Sequence, residues 1–165
     1  MERMIVVRSV AEIEECAKLI ASSFDTVAQE FGLTRENAST NPAFLTPSKL
    51  TEYLNKPVIL YGLLRDEEIV GCVAIEKSKR ESRSFYIERL SVAPLYRHKG
   101  YGRKLTAFAV DTIRRMGGNE VSIGIMNKNK VLKDWYIRQG FIEKECKQIA
   151  HLPFEVCYMV KRIQE

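Results

Sequence analysis

The sequence has few of the residues and motifs on which hydrolases and metal centres usually depend. It has two histidines and no HExxH motif, which argues against a Ser-His-Asp triad and a zinc protease site. The four cysteines form no CxxC pair and lie far apart inside apolar segments, so we predict free thiols without zinc or a disulfide, and no metal. They are Cys16, Cys72, Cys146 and Cys157.

Long hydrophobic runs are also missing. No stretch reaches about 18 uninterrupted apolar residues, the length that a membrane helix needs. The chain begins Met-Glu-Arg and continues into Met4-Ile5-Val6-Val7, without the long apolar region of a signal peptide. These absences predict a cytoplasmic protein that makes no membrane contact.

Two nucleotide-binding motifs are absent, since neither GxGxxG nor GxxxxGK[ST] occurs, and this disfavours Rossmann enzymes and P-loop NTPases. The 165 residues, 45% hydrophobic and 28% charged, predict one soluble domain spanning residues 1–165. The net charge of +5 is concentrated in residues 97–104 and at Lys128, Lys130 and Lys133. A local anionic ligand explains this clustering better than a long duplex, so nucleic acid is not the expected partner.

Periodicity and turn signals predict the element order strand, two helices, three strands, helix, strand, helix, two strands. Residues 33–47, rich in Asn, Thr, Ser and Pro, are typical of a connector or a lid. The predicted strands cover residues 4–10, 58–64, 69–75, 85–92, 121–126, 141–149 and 155–160, and the helices cover residues 13–31, 46–54, 105–116 and 129–139.

The most informative segment is the basic loop Arg97-His98-Lys99-Gly100-Tyr101-Gly102-Arg103-Lys104, between the fourth strand and its helix. Two glycines one residue apart let main-chain N–H groups approach an anion closely, and the helix N-terminus adds unpaired amides and its positive dipole end. The four basic side chains, Arg97, Lys99, Arg103 and Lys104, would add charge around these amides. The segment predicts a diphosphate pocket, although a plain strand-to-helix turn has the same local pattern.

The element order and two motifs resemble the Gcn5-related N-acetyltransferase (GNAT) superfamily. One motif is the basic loop Arg97-x-x-Gly100-x-Gly102, and the other is the helix from Asn129 to Tyr136 that ends in Gly140-Phe141. The resemblance covers the chain from Met4 to about Val160, and many members have Gln where this chain has Arg97. It implies an α/β fold with a central, mostly antiparallel sheet of about seven strands flanked by helices.

By this resemblance the cofactor is acetyl-coenzyme A (acetyl-CoA), bound where the fourth and fifth strands splay apart. Main-chain groups that the splay leaves free at Leu90 and Val92 could pair with the amides of pantetheine. Asn129 could bind the cofactor arm, cap its helix, or do both. The implied cofactor-binding residues are Leu90, Ser91, Val92, Arg97, His98, Lys99, Gly100, Tyr101, Gly102, Arg103, Lys104 and Asn129.

Acetyl transfer to an amine needs a proton acceptor, because an alkyl amine with a pKa near 10 is almost all ammonium at neutral pH. Glu88 lies two residues before Leu90, which predicts the same strand face. Family members often use a carboxylate near this position, commonly through water. Glu88 is therefore the predicted base, and an ion pair with Arg89 or another surface cation is the structural alternative.

Tyr136 matches the family position that often protonates or hydrogen-bonds the departing thiolate. A phenol suits this role, because a thiol with a pKa of about 8.5 leaves as an anion to which a phenol can donate. Packing of the helix by Tyr136 and Trp135 explains both residues without chemistry.

The resemblance, carried onto these residues, implies an N-acetyltransferase that acts by direct transfer to a primary amine of a small-molecule or peptide acceptor. None of the cysteines falls on the two motifs, which favours direct attack over an acetyl-cysteine intermediate. A catalytically inactive CoA-binding regulatory protein and a basic nucleic-acid-binding domain are the alternatives. The acceptor is not specified by the sequence, and a homodimer through the last strands is an expectation from the resemblance alone.

Overall fold

The computed structural model describes residues 1–164, which form one seven-stranded sheet with helices on both faces. The strands are β1 Glu2–Val6, β2 Val58–Arg65, β3 Glu68–Lys77, β4 Ser84–Val92, β5 Glu120–Met126, β6 Ile142–Gln148 and β7 Glu155–Arg162. The helices are α1 Val10–Glu30, α2 Pro47–Tyr53, α3 Tyr101–Arg115 and α4 Lys130–Ile137, with short 3-10 turns at Pro42–Phe44 and Pro94–Tyr96. This architecture confirms the predicted fold class.

The first strand is shorter than predicted at its C-terminal end. Ser9 is the N-cap of α1: its hydroxyl accepts from the Glu12 amide at 3.1 Å, and the Glu12 carboxylate accepts from the Ser9 amide at 2.9 Å. This reciprocal capping box starts the helix at Val10. The strand prediction for residues 7–10 was therefore wrong. The β-branched residues there favour a strand, and the capping signal at Ser9 was not recognised.

The strands follow the spatial order β1-β2-β3-β4-β5-β7-β6, and β4–β5 is the only parallel pair within residues 1–164. Two apolar cores cover the two faces of this sheet. Helices α1 and α2 pack over one core, on what we call the α1 face. Helices α3 and α4 pack over the other, on the α3 face. A side chain on a strand therefore belongs to one helical layer or the other.

The parallel ladder between β4 and β5 is short. It pairs only Ser84 with Glu120, Phe85 with Val121 and Tyr86 with Ser122. Beyond Tyr86 the two strands continue to Val92 and Met126 without pairing to each other. This separation, the β4–β5 gap, is an opening through the middle of the sheet, as the resemblance implied.

Candidate active site

The β4–β5 gap exposes main-chain groups of β4. The Ala93 amide donates to the Val70 carbonyl at 2.9 Å, which directs Ala93 toward β3. Because main-chain groups alternate in direction along a strand, those of Val92 and Leu90 point the other way, into the gap. They are thus open to a ligand that lies between the strands.

A row of unpaired amides follows at the start of α3. No acceptor within residues 1–164 takes a hydrogen bond from the main-chain amides of residues 98–103, and α3 has no side-chain N-cap. The backbone at His98 and Gly100 is left-handed, with φ of +61° and +86°. Successive amides in such conformations form a concave nest for an anion. The predicted phosphate loop therefore has six consecutive donors without partners.

The basic side chains of the loop divide into two groups. Arg97 donates to the Ser23 carbonyl at 2.7 Å and to the Thr26 hydroxyl at 3.0 Å, both on α1. Lys104 pairs with Glu2 on β1. Each of these two side chains therefore has a partner elsewhere in the fold, and the prediction that they add charge around the amides stays a prediction.

Lys99 and Arg103 have no such partners, and their role at the amides stays a prediction. Both side chains are exposed, and neither has an ion-pair partner in the described chain. The Lys99 ammonium lies 5.8 Å from the centre of the Tyr96 ring. Tyr101, by contrast, is buried and donates its hydroxyl to Glu2 at 2.9 Å, so only its amide faces the nest.

The two sequence motifs meet at Gly102. A Cβ atom at this position would lie 3.1 Å from the Trp135 ring, so the absence of a side chain lets α3 approach α4. Asn129 caps α4, accepting from the Leu132 amide at 3.2 Å. The cap part of the Asn129 prediction is therefore confirmed.

Tyr136 lies in the core of the α3 face. Its ring packs edge-to-face on Trp135 and Phe141, with centroids 4.9 and 5.3 Å away. Its hydroxyl bonds to no residue of the described chain, and burial raises the pKa of this phenol. The Tyr136 hydroxyl is thus a donor without an acceptor, and Trp135, on which its ring packs, also borders Gly102 of the amide row.

Glu88 lies on the opposite face from Leu90, which corrects the prediction that they share a face. On β3, Cys72 and Ala74 are two residues apart, but they pair with Ser91 and Glu88, which are three apart. The extra residue is Arg89, whose φ of +54° marks a β-bulge. Leu90 packs on the α3 face, whereas Glu88 pairs with Ala74 of the α1 face.

The same bulge turns Ser91 away from the gap. Its side chain is buried beside Cys72 and donates to the Arg89 carbonyl at 3.0 Å. Any contribution of Ser91 to the cofactor must therefore come through main-chain geometry. Its side chain stabilises the bulge instead.

Two neighbours of Glu88 were not found from the sequence. The Tyr53 hydroxyl of α2 donates to Glu88 at 2.5 Å, and the pKa of Tyr53 is raised by burial and by the Glu88 charge. Glu76 on β3 also has a raised pKa, from burial and from a hydrogen bond with Glu88. No spacing in the sequence links 53, 76 and 88, because strand pairing and helix packing bring them together.

The cysteines are closer together in space than their separation in sequence suggested. Cys146 pairs directly with Cys157 across β6 and β7, and the ligand atoms of Glu143, Cys146 and Cys157 lie within 4.8 Å of one another. Burial raises the pKa of Cys157 to about 12, and Lys133 pairs with Glu143 at 2.5 Å. All four cysteines are free thiols. Free thiols were predicted, but separation along the chain was a poor argument for them, because Cys146 and Cys157 are neighbours in space.

Among residues 1–164 there is no helix with both the length and the apolar character needed to cross a bilayer.

A model of the acetyltransferase (GNAT) family matches residues 24–141. An uncharacterized N-acetyltransferase of Schizosaccharomyces pombe is 33% identical over 78 residues, which are 45% of this chain and only about half, 54%, of that relative. The fold is similar to the ribosomal-protein-S18-alanine N-acetyltransferase of Escherichia coli, with TM-score 0.74, 12% identity and coverage of 100% of this chain and 96% of that one. It is also similar to the PaiA N-acetyltransferase of Thermoplasma acidophilum in complex with coenzyme A, with TM-score 0.70, 18% identity and 99% coverage of both chains.

Proposed function

Because the chain belongs to the GNAT acetyltransferase family, we propose that it transfers an acetyl group from acetyl-CoA directly to a primary amine. The observation that carries this proposal is the β4–β5 gap, which has an anion nest at its edge and a carboxylate beside it. The nest and Tyr136 belong to the α3 face, and Glu88 belongs to the α1 face. The gap therefore connects the face that would bind the acetyl donor with the face that would bind the amine acceptor.

The residues on the α3 face fit acetyl-CoA, which supplies an activated acetyl thioester when bound. The six unpaired amides of residues 98–103 fit its diphosphate, and Lys99 and Arg103 add positive charge. The free main-chain groups of Leu90 and Val92 fit the amides of its pantetheine arm. Coenzyme A in the complex of the Thermoplasma acidophilum relative supports this assignment.

Proton transfer is assigned to one residue on each face. Glu88, fixed by the Tyr53 hydroxyl, takes a proton from the acceptor ammonium, directly or through water. Tyr136, a phenol that is protonated at neutral pH and whose pKa burial raises further, would donate its hydroxyl to the sulfur that departs. An amine that enters from the α1 face and a thiolate that leaves toward the α3 face would need no covalent enzyme intermediate.

Isothermal titration with acetyl-CoA, dephospho-CoA and duplex DNA, followed by an acetyl-transfer assay on a panel of amines, tests the function. We expect micromolar binding of acetyl-CoA, weaker or equal binding of dephospho-CoA, and thiol release that depends on an amine. Binding without transfer to any amine would indicate a CoA-binding regulatory protein. Binding of DNA alone, falling steeply with salt, would indicate a nucleic-acid-binding domain.

The substitution Tyr136→Phe tests the proton donor, since it removes the hydroxyl and keeps the ring between Trp135 and Phe141. We expect kcat to fall about 100-fold while the Kd of acetyl-CoA stays within about threefold. The matched control is Tyr61→Phe on β2, whose ring packs on Phe108 at 5.0 Å, away from the gap. A wild-type kcat in Tyr136→Phe would exclude the donor role.

A cytoplasmic location, a single domain and a homodimer through the last strands stay predictions.

A further inference from the structure

Arg89 carries a positive charge that the fold does not neutralise. Its guanidinium makes no ion pair with any residue of the described chain, and its Nε atom is buried without a hydrogen-bond partner. The guanidinium carbon lies 4.7 Å from the centre of the Tyr53 ring. The ring positions the guanidinium but accepts no hydrogen bond in the guanidinium plane. Buried donors are nearly always bonded, so an unused one needs an explanation.

The backbone at Arg89 is also unusual. Its φ of +54° lies in the left-handed region, which residues other than glycine seldom adopt, and it forms the bulge of β4. Strain of this kind persists where the surroundings fix it, often at binding sites. Here the bulge brings Arg89 next to Glu88, with both side chains against Tyr53.

Arg89 lines a cavity of about 210 Å³ between α2, the segment of residues 39–45 and β4. Lys49 and Tyr53 line it from α2, and Asn41 and Phe44 line it from the connecting segment. None of its lining residues is acidic, so the cavity has a cationic wall. Its volume is below the roughly 300–1,000 Å³ of sites for drug-sized ligands, which favours a small molecule.

The acidic groups lie just beyond this cavity. Tyr53, part of its wall, donates to Glu88, and burial together with the neighbouring Glu88 raises the pKa of Glu76 on β3. The α1 face beside the gap thus has a cationic end at Arg89 and an anionic end at Glu88. A molecule with an anion at one end and an ammonium at the other matches this order of charges.

We propose that the acceptor is a small amine that also carries a carboxylate, with Arg89 binding the carboxylate while the amine faces Glu88. This inference rests on the proposed acetyl transfer. The guanidinium can donate two parallel hydrogen bonds to a carboxylate, and its buried Nε would gain a partner. Lys49, exposed at the cavity rim, adds long-range attraction.

A binding experiment tests the inference without requiring turnover. The N-acetyl derivatives of the standard amino acids, and the carboxamides of the same compounds, are titrated into the protein with saturating coenzyme A. The Arg89 Nε–H signal is followed by NMR and assigned by its loss in Arg89→Gln. We expect at least one N-acetyl amino acid to shift this signal saturably, and its carboxamide to bind at least about tenfold more weakly.

The control variant is Arg138→Gln, which removes the same charge from an exposed position at the C-cap of α4. It should leave the titration unchanged, whereas Arg89→Gln should abolish the preference for the carboxylate. The inference is overturned if no carboxylate shifts the Nε–H signal, or if carboxamides bind equally well.

Turnover then separates this inference from the proposed function. Amino acids are compared with amino acid amides, which keep the primary amine and lose the carboxylate. We expect kcat/KM to favour one acid about 10- to 100-fold over its amide, and the ratio to approach 1 in Arg89→Gln. Equal acetylation of acids and amides overturns the inference and leaves the transferase intact. Carboxylate binding at Arg89 without transfer to any amine overturns the transferase and the acceptor assignment together, and leaves Arg89 only as a carboxylate-binding site.

Discussion

Replacing Glu88 with glutamine is expected to lower kcat by about 10²- to 10⁴-fold while leaving the Kd of acetyl-CoA within about threefold of wild type. At neutral pH the acceptor is almost entirely ammonium, and an amide side chain cannot take its proton. Glutamine keeps the size of glutamate and an oxygen for the Tyr53 hydroxyl, which donates at 2.5 Å. The fold of the α1 face should therefore be retained, and only the proton transfer lost.

The pH profile distinguishes this chemical effect from a structural one. As the pH rises toward the pKa of the acceptor amine, the unprotonated fraction grows and the deficit of Glu88→Gln should become smaller. Glu145→Gln, on the exposed strand β6, is the matched control and should behave as wild type at every pH. Unchanged turnover of Glu88→Gln with the true acceptor at pH 7 would rule out the base.

The second large effect is expected at the start of α3. In the double variant Lys99→Glu/Arg103→Glu, two cations beside the six unpaired amides become anions. We expect the Kd of acetyl-CoA to rise about 100-fold, roughly tenfold for each lost charge-assisted contact. The folded state should not suffer, because carboxylates near a helix N-terminus are favourable.

Isothermal titration measures this change, and Arg114→Glu/Arg115→Glu supplies the control. It alters the net charge equally at the other end of the same helix, roughly 18 Å from Arg103 by helix rise. Its Kd should stay within about threefold, with α-helical content checked by circular dichroism. If both double variants lose affinity equally, net charge rather than the nest would account for cofactor binding.

The parts of this site that depend on neighbouring residues were predictable from the sequence. The element order, the amide row and the helix cap at Asn129 follow from glycine, proline and Asn signals within a few residues of each other. Such signals act through backbone conformation, which is local. The splay of β4 and β5 came from the family resemblance, and the ladder that ends at Tyr86 agrees with it.

The rest could not be predicted because it depends on distant partners. Arg97 contacts Thr26, which is 71 positions away, and Lys104 contacts Glu2, which is 102 positions away. The face on which Glu88 lies was mispredicted, because one residue in a left-handed conformation shifts the register of β4. Neither a long-range ion pair nor a bulge at an arginine leaves a periodic signal in the sequence.

The short ladder between β4 and β5 has a mechanical consequence for the whole molecule. It divides the sheet into a four-stranded half and a three-stranded half, joined by three residue pairs, by the apolar side chains of the α3 face and by the cluster of Met126 with Ala28 of α1. Small rotations of one half against the other change the width of this seam without breaking any other ladder. A ligand that bonds to both edges would restrain that rotation, and we therefore expect the sheet to be stiffer when the seam is occupied.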